Sequence, residues 1–312
     1  MNRKIDLSII IPLYNEESNV AQLVYYLNKN IVKLKDINVE ILFVDDGSSD
    51  DTFELLKKSS HKAYSARILK LSKNFGSHGA MRAGIYHAKG HLTTMLYGDL
   101  QVPFEVIEKM LEKIKNKYNV VIASRNRNGA NISKRFFSRL YAELIRKFVF
   151  PNFPKSNYDM VMFDEKVRRI LNQSIELHSS LFLQIFDLGF KQAVISYSKR
   201  ERLYGKSKWT LTKKTKLFID SFIVFSYAPI RFISLTGILL SVLGLLWAVY
   251  VIVRAIFVKD IQPGWPTLIG VLMIGFGLTN ISLGIIAEYM WRTFDASRHK
   301  PAFIIDKVIT LK

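Results

Sequence analysis

Residues 39–50 have the sequence VEILFVDDGSSD, an apolar run followed at once by two aspartates, a glycine and two serines. A short run of β-branched and aromatic residues predicts a buried strand, and the polar residues after it predict a turn at its carboxyl end. The same arrangement recurs through the first third of the chain. We therefore predict four strands, at Leu7–Ile11, Val39–Val44, Arg67–Leu71 and His91–Leu96.

Helical patterns separate these strands, at Ser18–Asn30, Asp50–Lys58, Ser77–Ala88 and Pro103–Lys115. Alternation of strands and helices predicts an α/β fold, with a mostly parallel sheet covered by helices on both faces. Ligands of such sheets bind beyond the carboxyl ends of the strands. Polar clusters follow all four predicted strands, at residues 12–17, 45–50, 72–76 and 98–101, and this edge is where we expect a nucleotide.

Charge is distributed unevenly along the 312 residues, whose formal net charge is +19. Residues 1–112 hold 14 basic and 14 acidic side chains, whereas residues 113–216 hold 23 and 7. The basic third is either a solvated surface or a face held against anionic lipid or a phosphate-bearing acceptor. No recognised nucleic-acid motif accompanies the charge, so we expect no nucleic-acid partner. The chain has no cysteine, which excludes disulfides.

Two long uncharged runs occupy the last third, from Phe232 to Val253 and from Thr267 to Ala287. Each is long enough to cross a hydrocarbon core of ~30 Å as a helix, and the alternative is a pair of buried core helices. The short link between them predicts a hairpin. Because Lys and Arg are concentrated at its outer ends, the positive-inside rule places the preceding domain and the C-terminus in the cytoplasm.

These features divide the chain into six parts. We predict a catalytic domain at 1–208 (a nucleotide-binding half at 1–112 and an acceptor-side half at 113–208), an amphipathic interface helix at 209–230, transmembrane helices at 231–257 and 267–290, a linker at 258–266 and a cytoplasmic tail at 291–312. A plain amphipathic core helix is the alternative for 209–230.

Four stretches together resemble glycosyltransferase family 2, which has the GT-A (Rossmann-like) fold. They are IIIPLYNEES at 9–18, FVDDGSSDDT at 43–52, LSKNFGSHGAMRAG at 71–84 and GDLQVPFE at 98–105. With the basic region and the hairpin, the chain is most similar to the polyprenyl-phosphate glycosyltransferase branch, which includes dolichol-phosphate mannose synthase and the bactoprenol glucosyltransferases. The resemblance covers nearly the whole chain.

The resemblance implies a nucleotide site at the first three polar clusters. Pro12, Tyr14 and Glu16 would line the base and ribose pocket, and Lys73 would bind the donor. Asp45 or Asp46 would contact the nucleobase edge, where a carboxylate can accept a hydrogen bond from a ring N–H. The alternative for Asp46 is a turn carboxylate that bonds the backbone.

Asp99 and Gln101 match the metal-binding segment of the family, so the resemblance implies Mg²⁺ or Mn²⁺ at these oxygen ligands. A divalent cation would neutralise the leaving diphosphate. The chain departs from the common Asp-x-Asp pattern here, because Tyr97 stands in the place of the first aspartate.

The acceptor side is expected in the basic region. Arg125 and Arg139 match arginines that the family uses near the phosphates, and arginine forks suit a phosphate acceptor. Asp159 would orient a sugar hydroxyl or the acceptor, with a structural ion pair as the alternative. Arg200, Arg202 and Lys206 match a mobile loop that would close over the diphosphate. His78 is interpreted as structural.

The resemblance therefore implies a metal-dependent, inverting transfer of a sugar from a nucleotide-sugar, with a UDP-sugar preferred, to undecaprenyl or another polyprenyl phosphate. Membrane lipid would be a partner, glycines in the hairpin would permit a homo-oligomer, and a flippase would act downstream. The alternatives are a processive polysaccharide synthase, whose Gln-x-x-Arg-Trp motif and additional spans the chain lacks, and a non-catalytic membrane scaffold that binds lipid or nucleotide.

Overall fold

The computed structural model describes residues 5–125, 143, 146–147, 158–175, 180–198, 228–257, 264–298 and 300–311. The chain forms two compact units. The first comprises Met1–Asp220 together with Pro301–Lys312, and the second comprises Ser221–Lys300.

The first unit is built around one sheet. Its strands are β1 (Leu7–Leu13), β2 (Val39–Asp45), β3 (Ser65–Leu71), β4 (Leu92–Met95), β5 (Val120–Arg125), β6 (Tyr158–Asp164), β7 (Gln192–Tyr197) and β8 (Ile305–Leu311). Its helices are α1 (Glu17–Ile31), α2 (Thr52–Lys58), α3 (Gly76–His87), α4 (Glu105–Lys115), α5 (Glu165–Gln173) and α6 (Leu181–Asp187).

The strand order is β7-β5-β6-β4-β1-β2-β3-β8. Strands β1 to β4 are parallel to one another, β5 is parallel to β7, and both β6 and β8 run antiparallel to their neighbours. The carboxyl ends of β1 to β5 therefore meet at one edge of the sheet, together with the starts of β6 and β8. We call this the carboxyl edge.

Apolar residues cover both faces of the sheet. One cluster joins α1, α2 and α4 to alternate residues of β1 and β2, and a second joins α3, α5 and α6 to the residues between them. Close packing on the second face depends on small residues of α3, because a Cβ at Gly84 would lie 2.3 Å from Ile10 Cγ2. The sheet is thus buried on both sides, as its continuous apolar strands predict.

The opposite edge of the sheet contains a buried ionic network. Glu40, 2% exposed, accepts hydrogen bonds from the Ser8 hydroxyl at 2.5 Å and the Lys89 amide at 2.6 Å. Arg67 Nη2 forms an ion pair with Glu40 Oε2 at 2.8 Å and also donates to the His87 carbonyl. Ser8, Glu40 and Arg67 belong to β1, β2 and β3, so these bonds link the three strands near their amino ends.

The predicted elements of the first third are confirmed, with ends that differ by at most two residues. The structure adds strands that the sequence did not indicate, at β5, β6, β7 and β8. β8 corrects the prediction for residues 291–312, which were expected to form only a tail. Residues 305–311 are a strand of the catalytic sheet, paired with β3 from Leu71↔Ile305 to Ala66↔Leu311. Neighbouring strands separated by more than 230 residues cannot be paired from local patterns alone.

The second unit contains two long helices, α7 (Ala228–Phe257) and α8 (Trp265–Ser297). α7 begins three residues before the predicted span 231–257 and ends at the same residue. α8 extends the predicted span 267–290 by two residues at its N-terminus and by seven at its C-terminus. In the described part of the chain, no helix combines the length and the hydropathy that a bilayer crossing requires, so the transmembrane hairpin is not confirmed. The predicted interface helix 209–230 and linker 258–266 lie mostly outside the described residues.

Glu40→Gln should weaken the first unit. The substitution keeps a hydrogen-bonding group but leaves Arg67 without its buried countercharge, which typically costs about 3–5 kcal/mol. Denaturant unfolding should therefore show a lower free energy of unfolding. Glu54→Gln is the matched control, because Glu54 and Lys57 form a 3.8 Å pair that is half exposed. Glu54→Gln should lower the free energy of unfolding by less than about 0.5 kcal/mol. Equal decreases in the two variants would contradict the structural role of the network.

Candidate functional site

Strand order reverses at β1, which has β2 on one side and β4 on the other. A crevice at such a reversal is the usual ligand site of an open parallel sheet. The loop after β4 packs closely against the end of β1, because a Cβ at Gly98 would lie 2.6 Å from Leu13 Cδ2. Each loop also contains a non-glycine residue with positive φ, Asn15 at 50° and Leu100 at 53°. Such strain is often found in functional loops.

The loops after β1 and β2 are joined by hydrogen bonds between their polar residues. The Asn15 amide donates to Ser48 Oγ at 3.0 Å, and Asn15 Oδ1 accepts from the Ser49 amide at 2.9 Å. The Glu16 amide donates to Thr52 Oγ1 at 2.8 Å. Several residues of the two polar clusters therefore stabilise one another and fix the backbone of both loops.

Asp45 and Asp46 are buried carboxylates at the carboxyl end of β2, 0% and 3% exposed. Asp45 Oδ1 accepts from the Ser48 amide at 3.2 Å, while Oδ2 has no hydrogen-bond partner among the described residues. Burial raises the pKa of Asp45, partly offset by bonds from Ser48 and by the charge of Lys70. An N–H group or a cation placed beside it would stabilise its ionised form and lower its pKa.

Asp46 connects β2 to the loop that follows β3, residues 72–76, which we call the β3 loop. Asp46 Oδ1 accepts from the Phe75 amide at 2.7 Å, and its own amide donates to the Leu13 carbonyl at 2.8 Å. Burial raises the pKa of Asp46 to about 6 even though backbone amides of Phe75 and Gly76 lower it. Asp46 thus bonds the backbone of the β3 loop, rather than that of Gly47 and Ser48.

Gly47 lets the β2 and β3 loops touch through their backbones. Its φ is +67°, and a Cβ there would lie 2.5 Å from the carbonyl carbon of Lys73 and 2.9 Å from the Asn74 amide nitrogen. No other residue type fits without displacing the β3 loop. The exposed side chain of Lys73, which was predicted to bind the donor, therefore projects from a loop whose backbone is packed against β2; its Nζ lies 5.2 Å from the ring centre of Phe75.

Asp99 and Gln101 lie in the turn after β4, both half-buried, with the Gln101 amide donating to Asp99 Oδ1 at 3.3 Å. Leu100, between them, is buried and has a positive φ of 53°. No group of three or more His, Cys, Asp or Glu side chains in the described residues is placed to hold a metal ion. One carboxylate and one amide oxygen fit Mg²⁺ or Mn²⁺ when phosphate and water supply the remaining ligands.

The other predicted residues divide into two groups. Pro12, Tyr14 and Glu16 are half-buried at the carboxyl edge, and Arg125 ends β5 at the same edge beside Tyr197. Asp159 lies in β6, whose start is at this edge, but its side chain is outside what the structure describes. Arg139, Arg200, Arg202 and Lys206 are also outside the described residues.

His78 is consistent with a structural role. It lies in the first turn of α3, its Nδ1 is 3.5 Å from the Leu181 amide, and burial together with the nearby Arg82 charge lowers its pKa to about 4. Arg82 is itself buried and donates to Gln184 Oε1 at 2.9 Å. These residues connect α3 to α6, and His78 is neutral at physiological pH.

The family model for glycosyl transferase family 2 matches residues 8–177, which span every loop of the crevice. This chain belongs to glycosyl transferase family 2. Its mostly parallel α/β sheet is the one that the GT-A fold of the family leads us to expect. The four polar loops of the carboxyl edge lie within the four sequence motifs that carried the resemblance.

Relatives within the family cover the chain almost completely. Over 308 residues it is 33% identical to the uncharacterized glycosyltransferase YkcC of Bacillus subtilis (strain 168), across 98% of this chain and 95% of that protein. It is 30% identical to the undecaprenyl-phosphate 4-deoxy-4-formamido-L-arabinose transferase of Proteus mirabilis (strain HI4320), across 98% and 94%. It is 27% identical to the prophage bactoprenol glucosyl transferase homolog of Escherichia coli (strain K12), across 97% and 99%. These names support the polyprenyl-phosphate branch of the family.

Asp46→Asn should remove a pH-dependent loss of stability. Because folding raises the pKa of Asp46 from 3.8 to about 6, the folded state favours the protonated form. The protonated carboxyl group therefore stabilises the folded state fully at pH values below 3.8, the pKa of the unfolded chain. This stabilisation, about 3 kcal/mol, is lost as the pH rises through about 6. The variant should therefore unfold at higher denaturant concentration than the wild type at about pH 7.5, with little difference at about pH 3.5.

The control is Asp306→Asn, which changes an exposed carboxylate on β8 and should keep the wild-type pH dependence. Parallel pH profiles for Asp46→Asn and the wild type would show that Asp46 ionises without penalty, contrary to its burial.

Proposed function

We propose that this family 2 enzyme transfers a sugar from a nucleotide-sugar, with a UDP-sugar preferred, to undecaprenyl or another polyprenyl phosphate. The observation that carries the proposal is the carboxyl edge, where the polar loops that follow β1, β2, β3 and β4 gather. Two of the relatives are named for undecaprenyl phosphate and bactoprenol, which supports a lipid phosphate as acceptor.

The donor would bind with its base and ribose against Pro12, Tyr14 and Glu16. Asp45 or Asp46 is the acceptor for a ring N–H, and such a bond would offset part of the cost of its burial. Lys73, at the exposed tip of the β3 loop, is placed on the same edge to meet the negative charge of the diphosphate. Asp99 and Gln101 would hold the divalent cation, which supplies charge neutralisation at the leaving group when bound.

The acceptor needs orientation more than deprotonation, because a phosphate monoester is already anionic near neutral pH. Arg125 lies at the carboxyl edge and can hold one phosphate oxygen in line with the anomeric carbon. Arg139 and Asp159 would complete this side, and Arg200, Arg202 and Lys206 would cover the diphosphate. The phosphate oxygen forms the new bond to the anomeric carbon as the bond to the nucleoside diphosphate breaks. A single displacement inverts the anomeric configuration.

We further propose that the second unit attaches the enzyme to the cell membrane, with the catalytic unit and C-terminus on the cytoplasmic side. Many large apolar side chains of α7 and α8 are exposed, among them Leu239 and Leu243 on α7 and Ile274 and Phe276 on α8. An apolar surface of this extent is costly in water and favourable in lipid. The basic residues outside both helices give the orientation. A homo-oligomer and a flippase partner remain predictions from the sequence.

A donor panel tests the transfer. The purified chain would be incubated with undecaprenyl phosphate, Mn²⁺ or Mg²⁺, and UDP-glucose, UDP-N-acetylglucosamine or GDP-mannose in turn, and the lipid product would be measured by mass. We expect one donor to give a lipid-phosphate sugar, and Asp99→Ala to lower its rate by about 10²–10³-fold through loss of charge stabilisation.

Glu112→Ala, which truncates an exposed carboxylate on α4, is the control and should keep wild-type activity. The absence of lipid-linked product with all three donors would refute the proposed transfer. Full activity of Asp99→Ala, or activity that does not change on chelation of the metal, would refute the metal role of Asp99.

The membrane attachment is tested by alkaline extraction of membranes from expressing cells. We expect the wild type to stay in the membrane pellet, and the double variant Leu239→Arg and Ile274→Arg to move to the supernatant, because each central arginine costs about 2.5–3.5 kcal/mol in a spanning helix. Tyr25→Arg, an equally exposed apolar position on α1, should stay with the pellet. Recovery of the wild type in the wash would contradict attachment through α7 and α8.

A further inference from the structure

The chain returns from the second unit to the edge of the catalytic sheet, and its first residues there contact the β3 loop. β8 pairs with β3 up to Leu71↔Ile305. One residue further, the Ser72 amide donates to the Ile304 carbonyl at 3.0 Å. The first residue of the β3 loop is therefore bonded to the segment that precedes β8. We call residues 302–304 the return segment.

The return segment also packs against α3, the helix that continues directly from the β3 loop. The ring centres of Phe303 and Tyr86 are 6.0 Å apart. At Gly79, a Cβ would lie 3.2 Å from the Ala302 carbonyl oxygen and 2.7 Å from Phe75 Cβ. A glycine is thus needed where α3, the β3 loop and the return segment converge.

On its other side the β3 loop is held by β2. Asp46 binds the Phe75 amide at 2.7 Å, and Gly47 packs under the backbone of Lys73 and Asn74. The loop is therefore fixed from two directions, by the end of β2 and by the return segment. The two contact sets come from residues more than 250 positions apart in the sequence.

We propose that the return segment is a positioning element of the donor site: it holds the β3 loop, and with it Lys73, at the carboxyl edge. This rests on the proposed function, in which Lys73 meets the diphosphate of the donor. A long lysine side chain gains affinity for a phosphate when its backbone is already in place, because less conformational entropy is lost on binding.

A simpler role for β8 is to cover the edge of β3, since an exposed edge strand invites intermolecular pairing. That role requires the β3–β8 ladder, but it does not require the contacts of Phe303 and Ala302 with α3, nor the hydrogen bond from Ser72. The two roles can therefore be separated by substitutions on either side of Ile305.

The first measurement is amide hydrogen exchange of the full chain, and it does not depend on activity. Phe303→Ala and Gly79→Ala should each lower the protection of the Ser72 and Phe75 amides by about tenfold or more, as local opening becomes easier. Val308→Ala is the matched control, because it shortens an exposed side chain within β8 at the position that pairs with Leu69 of β3. It should leave both amides protected.

The second measurement is the steady-state kinetics of the same variants with the donor found by the panel. Phe303→Ala should raise the KM for the donor by about tenfold with a smaller change in kcat, because positioning acts through binding. A double-mutant cycle with Lys73→Met should be strongly non-additive, since a side chain that is absent cannot be mispositioned.

Unchanged protection of the Ser72 and Phe75 amides in both variants, additive effects in the cycle, or an equal loss in Val308→Ala would each overturn the proposal. A wild type that transfers no sugar would instead overturn the proposed function, and the exchange measurement would still decide whether the return segment holds the loop.

Discussion

Two adjacent carboxylates are buried at the carboxyl end of β2, and the loops of the site are arranged around that constraint. A buried carboxylate without bonding partners is strongly destabilising. Asp46 accepts a hydrogen bond from the Phe75 amide, and this bond fixes the β3 loop at the end of β2. Asp45 accepts one from the Ser48 amide, and Ser48 in turn holds the loop after β1 through Asn15. The geometry of three loops thus follows from the burial of two side chains.

The burial of the two carboxylates has opposite effects on the stability and on the proposed function of the protein. Burial raises the pKa of both carboxyl groups, so their ionised forms reduce the stability of the folded protein at neutral pH. An ionised, partly satisfied carboxylate is also what a nucleobase N–H group needs as an acceptor. A site of this kind is expected to be less stable than its surroundings and to gain stability when its ligand binds.

Much of the fold could be predicted from local patterns, because β1 to β4 are apolar runs bounded by turn residues. The location of the site also followed, since polar clusters at the ends of parallel strands must share an edge. β8 could not be predicted in the same way. Residues 305–311, IDKVITL, alternate as a strand does, but nothing local indicates that the partner is β3. Asp46 was identified as a site residue, whereas its bond to Phe75 depends on tertiary structure.

Tyr97 makes the rigidity of the β3 loop more important in this chain than the family pattern alone suggests. Where the family commonly has two aspartates, the turn after β4 has one, so in the proposed function the cation is held by one carboxylate fewer and binds less tightly. Binding of a diphosphate donor, on the same proposal, then depends more on cationic side chains at the same edge. Among the described residues of the four loops, Lys73 is the side chain of that charge. A lysine on a mobile loop would compensate poorly, because ordering it would consume much of the binding free energy. The contacts of Asp46, Gly47 and Ile304 with the β3 loop remove that cost before the donor arrives.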